Sequence, residues 1–168
     1  IVRNTIIFEL APTFTALILA GKVGSNLASE LGSMRVTEQI DALEIMGVNT
    51  ESYLIATRII AAVITIPVLV AIAAYSGIMG GYIATSLSSN YSTEDYVRGI
   101  RMLFDPFDVQ LMFIKSFTFS FIVSSISCYM GYYVKGGSVE IGKASTQAVV
   151  YSCIFVLLAD YVIASLLL

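Results

Sequence analysis

The chain has 168 residues, of which 57% are hydrophobic and only 12% are charged, and its formal net charge is −3. A charged fraction about half the usual ~25% argues against an ordinary soluble domain. The small acidic charge gives no basic surface for nucleic acid, and the lack of histidine removes the commonest metal ligand and general base. Composition therefore predicts a membrane protein.

Four apolar stretches are long enough to cross a bilayer, which takes about 20 helical residues. We expect membrane helices over roughly residues 5–31, 53–87, 109–134 and 148–168. At ~1.5 Å per residue, the second exceeds a ~30 Å hydrocarbon core, so it must tilt, protrude or bend at Pro67. Cys128 and Cys153 lie in apolar stretches and are interpreted as buried small residues.

Three connections join these helices. Residues 32–52 are polar with a helical pattern, residues 88–108 are typical of an ordered surface loop that includes Asn90 and Asp105, and residues 135–147 predict a glycine-rich turn. The first and third connections share one side of the membrane. The basic residues divide almost evenly between the two sides, so the positive-inside rule leaves the topology open.

The end of the first helix carries two stripes with a four-residue spacing. Small residues on one face predict close packing of another helix: Ala20, Gly24, Ala28 and Gly32. A neighbouring face is polar: Lys22, Asn26 and Glu30. Charges at membrane depth are costly, so this face either follows a polar path or lies at the interface, with Lys22 extending toward water.

Two further acids lie in apolar surroundings. Glu9, near Pro12, either is interfacial or lines a cavity. Asp160 lies deep in the last apolar stretch. We favour a structural hydrogen bond or ion pair for it, with Lys115 or a Tyr or Ser as partner, because a proton relay usually needs further intramembrane acids or histidines.

Residues 36–46 predict a short amphipathic helix. One face is apolar, with Ile40, Leu43 and Met46, and another is acidic: Glu38, Asp41 and Glu44. A left-handed Gly47 or Asn49 is expected to end it. Such a helix either lies on the membrane surface or docks on a partner protein, and the pattern alone does not separate these interpretations. The sequence holds no phosphate-binding loop or hydrolase motif, so ATP dependence would require another subunit.

Several blocks of sequence resemble the MlaE family, the permease subunits of ABC transporters that work with MCE-domain proteins. They are residues 9–12 (ELAP), 20–25 (AGKVGS), 30–43 (ELGSMRVTEQIDAL), 46–49 (MGVN) and 142–150 (GKASTQAVV), with Asp160-Tyr161 further on. The resemblance covers nearly the whole chain. Two positions depart from the family pattern: Phe8 replaces a usual Arg, and Thr50 replaces a common Pro.

The resemblance implies an all-α polytopic membrane protein in which residues 1–168 form a single permease domain. Four membrane helices and a short cytoplasmic coupling helix are present, and five membrane helices are expected in the complete subunit. The interfacial helix and first membrane helix would be missing at the N-terminus. Family members form homodimers in the inner membrane, here of a Gram-negative cell. Residues 32–52 and 135–147 would be cytoplasmic.

The resemblance also implies the function. The chain would be the permease of a phospholipid transporter that maintains outer-membrane lipid asymmetry with an ABC ATPase and a periplasmic MCE-domain protein. The ATPase would hold ATP and Mg, and this chain would bind no cofactor. The coupling-helix residues would be Glu38, Gln39, Asp41, Leu43 and Glu44. The lipid cavity would include Glu9, Leu10 and Pro12.

Three glycines and a proline in the second helix suggest bending or close packing during transport: Gly77, Gly80, Gly81 and Pro67. Two other functions stay open from the residues alone. An ion-coupled secondary transporter would require inverted repeats and several midplane ionisable residues, neither of which is evident. A membrane scaffold without transport would bind partners stably but move no lipid.

Overall fold

The structure is a computed structural model that describes residues 2–87, 93–102 and 106–167. Four of its helices are long and apolar enough to span a membrane: α1 (Ile6–Val36), α3 (Glu51–Leu87), α5 (Pro106–Tyr132) and α6 (Ser138–Leu167). Two shorter helices connect them, α2 (Gln39–Ile45) and α4 (Thr93–Met102). No strand occurs within these described ranges. The predicted all-α polytopic membrane fold is confirmed.

Two of the predicted connections are wrong in detail. The helix α6 begins at Ser138, about ten residues before the expected start, so only residues 133–137 form the turn. Gly136 makes this turn with φ of +125°, whereas Gly142 lies inside the helix. The expected loop over 88–108 contains α4. Asn90 and Asp105, like the terminal Ile1 and Leu168, lie outside the described residues.

Helix α5 is the central element, because it packs against α1, α3 and α6. Its buried face carries small hydroxyl residues, including Ser116, Ser120 and Ser124. Their hydroxyl groups donate to carbonyl oxygens three or four residues earlier in α5, which satisfies them inside an apolar environment. The small side chains allow the neighbouring helices to approach closely.

The small stripe of α1 lies at this helix crossing. Ala20, Gly24, Ala28 and Gly32 are all buried. A Cβ atom on Gly131 of α5 would lie 2.6 Å from the carbonyl oxygen of Ala28. Helix α6 joins the same packing, since Ser145 Oγ donates to the carbonyl of Ser25 at 3.0 Å. The stripe therefore packs within this chain, against α5 and α6.

Helix α3 runs without interruption through the buried Pro67. Two of its glycines lie under neighbouring side chains, Gly77 beneath Ile6 and Gly81 beneath Tyr96. The hydroxyl of Tyr96 donates to the carbonyl of Ile78 at 3.0 Å, which holds α4 against α3. Nothing lies within 4 Å of a Cβ placed on Gly80. Close packing thus accounts for two of the three glycines.

Both cysteines are free thiols. Cys128 is buried in the core, as predicted, and Cys153 is only partly buried.

Candidate functional site

Lys115 is the centre of an ion-pair cluster inside the helix bundle. It is completely buried, and its Nζ lies 2.8 Å from Glu9 Oε1 of α1 and 2.7 Å from Asp160 Oδ1 of α6. It also donates to the carbonyl oxygen of Phe8 at 3.0 Å. An isolated buried ammonium group would be strongly destabilising. Two hydrogen-bond acceptors and the nearby Asp160 carboxylate compensate for the lost hydration, and they tie α1, α5 and α6 together.

The backbone of α1 is shaped to expose the Phe8 carbonyl. Pro12 lies four residues after Phe8 and has no N–H group, so the usual α-helical donor to this carbonyl is missing. Over Ile6–Phe14 the helix widens to a π-helix, a form that is frequent at functional sites. Lys115 supplies the missing donor from α5.

The expected structural partner of Asp160 is confirmed as Lys115. The Asp160 Oδ1 atom approaches the ammonium at 2.7 Å but too obliquely for an aligned hydrogen bond, so the contact is an ion pair. Two carboxylates share one ammonium, which leaves one formal negative charge on the cluster. Asp160 is mostly buried, with a 17% exposed side chain, whereas that of Glu9 is 44% exposed.

Glu9 therefore joins the buried cluster to the outer surface of α1. Its Oε2 atom accepts a hydrogen bond from Thr13 Oγ1 at 3.4 Å. Leu10 and Phe14 are exposed beside it, while Pro12 is buried behind them. Of the three residues predicted for the lipid cavity, Glu9 and Leu10 therefore reach the surface, where Leu10 and Phe14 form an apolar strip beside one accessible carboxylate edge, whereas Pro12 does not reach it. The carboxylate of Glu9 is thus paired with Lys115 on its inner side.

The sequence predicts Lys115 only as one possible partner of Asp160, and not as a site residue that also binds Glu9. The sequence does contain a signal for this larger role, because Lys115 interrupts the long apolar stretch of residues 109–134. A lysine at membrane depth needs an acidic partner, and Glu9 and Asp160 were the two acids already identified in apolar surroundings.

The second region of interest is α2, at the opposite end of α5. Ile40 is fully buried in a cluster with Leu31, Leu54 and Tyr132, and Leu43 packs against the same cluster. The predicted apolar face is wrong at Met46, which is 69% exposed. The helix ends at Ile45, and Gly47 turns the chain with φ of +78°, as predicted for a helix end.

The acidic residues of α2 have different environments. Arg35, from the last turn of α1, binds Asp41 at 2.9 Å and lies 3.8 Å from Glu44. Glu44 Oε1 also accepts a hydrogen bond from Thr50 Oγ1 at 3.2 Å. Glu38 is exposed and adopts φ of +60°, a left-handed conformation that is unusual for a residue with a side chain. The periodicity treated these three acids as equivalent, but Glu38 alone is without an ion pair among the described residues.

A small polar network fixes α2 to α5. The hydroxyl groups of Thr50 and Tyr132 lie 2.8 Å apart, and the Tyr132 hydroxyl also donates to Glu44 Oε1 at 3.4 Å. The guanidinium of Arg35 lies 5.7 Å from the centre of the Tyr132 ring. Thr50, which replaces a common proline of the resembled family, therefore contributes a hydrogen bond that proline lacks.

The exposed surface of α2 carries both acidic and apolar side chains. Its exposed residues are Gln39, Asp41, Ala42, Glu44 and Ile45, and the flanking Glu38 and Met46 are exposed too. Ile45 is 87% exposed, so an apolar protrusion lies between acidic neighbours. Ile45 and the neighbouring Met46 together form a small exposed apolar patch.

The three residues of the polar stripe of α1 have different surroundings. Glu30 binds Arg58 of α3 at 2.7 Å. Lys22 and Asn26 are exposed and make no ion pair within the described part of the chain. In that same part, no group of three or more His, Cys, Asp or Glu residues is arranged to hold a metal ion.

Comparison with known proteins places these features in a family context. The family model described as Permease MlaE matches residues 1–166. A probable ABC transporter permease protein of Rickettsia bellii is 41% identical over 158 residues, which are 94% of this chain and 61% of that protein. A probable ABC transporter permease protein of Synechocystis is 33% identical over 159 residues, 95% of this chain and 60% of that protein.

A plant relative is similar over the same region. The chloroplastic protein TRIGALACTOSYLDIACYLGLYCEROL 1 of Arabidopsis thaliana is 34% identical over 157 residues, 94% of this chain and 45% of that protein. The chain spans about 61% of the length of the rickettsial relatives that it matches.

Proposed function

Because this chain belongs to the MlaE permease family, we propose that it is the membrane subunit of an ATP-driven phospholipid transporter. It is a multi-pass membrane transporter subunit rather than an enzyme. In the proposed complex, a homodimer of this subunit lies in the inner membrane of a Gram-negative cell. It works with an ABC ATPase and a periplasmic MCE-domain protein, and transport maintains the lipid asymmetry of the outer membrane.

The proposal of a lipid substrate has two supports. The name of the Arabidopsis relative refers to a galactolipid, trigalactosyldiacylglycerol. In this chain, Glu9 presents one carboxylate edge beside the exposed apolar side chains of Leu10 and Phe14. A phospholipid needs an apolar wall with a few polar groups for its headgroup, and this surface has both.

The observation that carries the mechanism is the path along α5. Tyr132, at one end of α5, is bonded to the α2 network, and Lys115 holds the ion-pair cluster further along the same helix. The two residues are separated by roughly 25 Å at 1.5 Å per residue. A displacement of α2 would be transmitted by a rigid helix to the contacts that join α1, α5 and α6.

The proposed cycle follows from this path. ATP and Mg bind to the partner ATPase, whose closure moves α2 through its exposed surface. Helix α5 shifts with α2, and the Lys115 contacts change the position of α1 relative to α6. The strip around Glu9, which we propose lines the cavity between the two subunits, then takes up or releases a phospholipid.

A transfer assay tests the proposal. The complete transporter is reconstituted in vesicles with a fluorescent phospholipid, and its transfer to the MCE-domain protein is followed. We expect transfer to require ATP and Mg and to persist when an ionophore dissipates ion gradients. Transfer that needs the gradient instead of ATP would establish an ion-coupled transporter. A stable complex that transfers no lipid would establish a scaffold.

A variant connects the assay to the site. Leu10→Trp enlarges an exposed side chain without touching the buried cluster, so we expect slower lipid transfer with an intact complex. Phe117→Trp on α5 is a suitable control, because Phe117 is also an exposed apolar residue but lies outside the strip. Equal transfer by the two variants would contradict the assignment of the strip to the lipid cavity.

A further inference from the structure

Two adjoining grooves lie on the outer face of the α5–α6 hairpin, near the turn between these helices. The first, the charged groove, has a volume of about 310 Å³, and its lining includes Tyr133, Lys135, Glu140 and Lys143. The second, of about 470 Å³, is apolar and includes Ile126, Tyr151 and Phe155. Tyr129 and Met130 line both grooves, so the two form one continuous depression.

The charged groove is lined by two cations and one anion. Lys143 binds Glu140 at 2.8 Å. Lys135 is exposed and makes no ion pair within the described residues, so the lining has one more positive than negative side chain. Glu51 lies nearby and accepts a hydrogen bond from the Tyr133 hydroxyl at 3.5 Å. This carboxylate raises the pKa of Tyr133, which keeps the phenol protonated and able to donate.

The apolar groove lies along a part of α6 that the rest of the chain leaves largely uncovered. Only 11% of the most apolar window of α6 is buried within the chain. Tyr129, Tyr151 and Phe155 are all exposed on this face. Tyrosines are enriched where a membrane meets water, and the two tyrosines here lie next to the charged groove.

We propose that the joined grooves bind one anionic glycerophospholipid from the surrounding leaflet. Its phosphate lies by Lys135 and Lys143, and an acyl chain follows Ile126, Tyr151 and Phe155. The cationic part of the depression matches the anionic headgroup of a phospholipid. The adjoining apolar part matches its acyl chain. A packed protein helix would instead cover Lys135 without supplying an evident counter-charge, and burying an unpaired charge is costly.

This lipid site is separate from the Lys115 cluster. Tyr129 and Lys115 lie on the same helix, roughly 20 Å apart along its axis. The site therefore requires no transport step and would hold lipid in a resting transporter. Tyr133 connects it to Glu51, the first residue of α3, which follows α2 in the chain.

Photocrosslinking in the intact complex tests the site. Tyr151 is replaced by the photoreactive residue benzoylphenylalanine, and the complex is placed in nanodiscs of phosphatidylcholine with a minor fraction of phosphatidylglycerol. Mass spectrometry then identifies the lipid adducts. Leu69 of α3 provides the matched control position, because Leu69 and Tyr151 are both 43% exposed.

We expect phosphatidylglycerol adducts at Tyr151 to exceed the bulk share about fivefold, the effect of one lysine near an anionic headgroup. Adducts at Leu69 should match the bulk composition. Lys135→Gln with Lys143→Gln should abolish the enrichment, whereas Lys135→Arg and the control Arg98→Gln on α4 should retain it. The proposal would be overturned if the phosphatidylglycerol share of the adducts at Tyr151 equalled its share in the nanodisc. Crosslinks at Tyr151 to a protein segment instead of lipid would also overturn it.

Discussion

The ammonium group of Lys115 lies 2.8 Å from the carboxylate of Glu9, and this contact joins a completely buried residue to one that reaches the surface. Asp160, from a third helix, adds a second carboxylate, so the cluster has one formal negative charge. As in other buried ion pairs, removal of the central lysine leaves charges without a partner. The three members of the cluster are not equally exposed, so their substitutions should not be equally harmful.

We predict a ranking of stability for three variants. Lys115→Met leaves two carboxylates unpaired and should lower the free energy of unfolding by about 3 kcal/mol. Asp160→Asn should cost less, because Glu9 still balances Lys115. Glu9→Gln should cost least, because Glu9 is half-exposed to solvent or headgroups. Thermal unfolding of the detergent-solubilised protein measures the ranking.

A double variant provides the control. Adding Asp160→Asn to Lys115→Met removes an unpaired acid, so part of the lost stability should return. If the two substitutions were simply additive, the ion pair would not be the source of the effect.

A second prediction concerns the crossing of α1 and α5 at Gly131. Gly131→Ala places a Cβ atom 2.6 Å from the Ala28 carbonyl oxygen and 2.8 Å from its Cα, both backbone atoms that cannot rotate away. The α1–α5 crossing must widen, and we expect the free energy of unfolding to fall by about 3 kcal/mol, the upper range for overpacking.

Gly142→Ala in α6 is the matched control, because nothing lies within 4 Å of a Cβ placed on Gly142. It should stabilise the protein by roughly 0.5–1 kcal/mol, since alanine favours helix more than glycine. Equal melting temperatures for the two variants would contradict close packing at Gly131.

The membrane helices were predictable because apolar length is a property of the sequence itself. The start of α6 was not, because the three glycines of residues 135–147 predict a turn, whereas only Gly136 among these three adopts a positive φ. A helix interior tolerates glycine at a modest cost. Tertiary packing, such as the Ser145 contact to α1, outweighs this cost.

The sequence could identify the unusual site residues, but it could not show which residues bind each other. The sequence indicated Glu9 and Asp160 as unusual acids, yet only the fold shows that one lysine serves both. Similarly, helical periodicity placed Glu44 and Asp41 on one acidic face. Their pairing depends on Arg35 and Tyr132, which come from other helices and are invisible to a local pattern.

A third prediction separates the two sides of α2. Ile40 is fully buried and Ile45 is 87% exposed, so the same substitution should have different effects. Ile40→Ala should lower stability by about 2–5 kcal/mol, as for other buried large-to-small changes. Ile45→Ala should leave the melting temperature unchanged but weaken binding of the proposed ATPase by about tenfold or more, as expected of an apolar contact centre. Pull-down titration measures the binding. If Ile45→Ala bound the ATPase normally, α2 would not dock through this protrusion.

The last prediction distinguishes the acids of α2 by charge reversal. Glu38→Lys changes an exposed side chain that has no ion pair within the described residues, so it should weaken ATPase docking without lowering stability. Asp41→Lys also breaks the 2.9 Å contact with Arg35 and should lower both. The stability loss should be about 1 kcal/mol or less, because the pair is exposed. Glu94→Lys in α4 reverses an exposed acid in another connection and serves as the control.

Glu38→Gly tests the backbone in the same series. Because glycine adopts φ of +60° without strain, the stability of the protein should rise or stay equal, while docking weakens only through the lost charge. Docking that is unaffected by Glu38→Lys but lost with Glu94→Lys would move the ATPase contact away from α2.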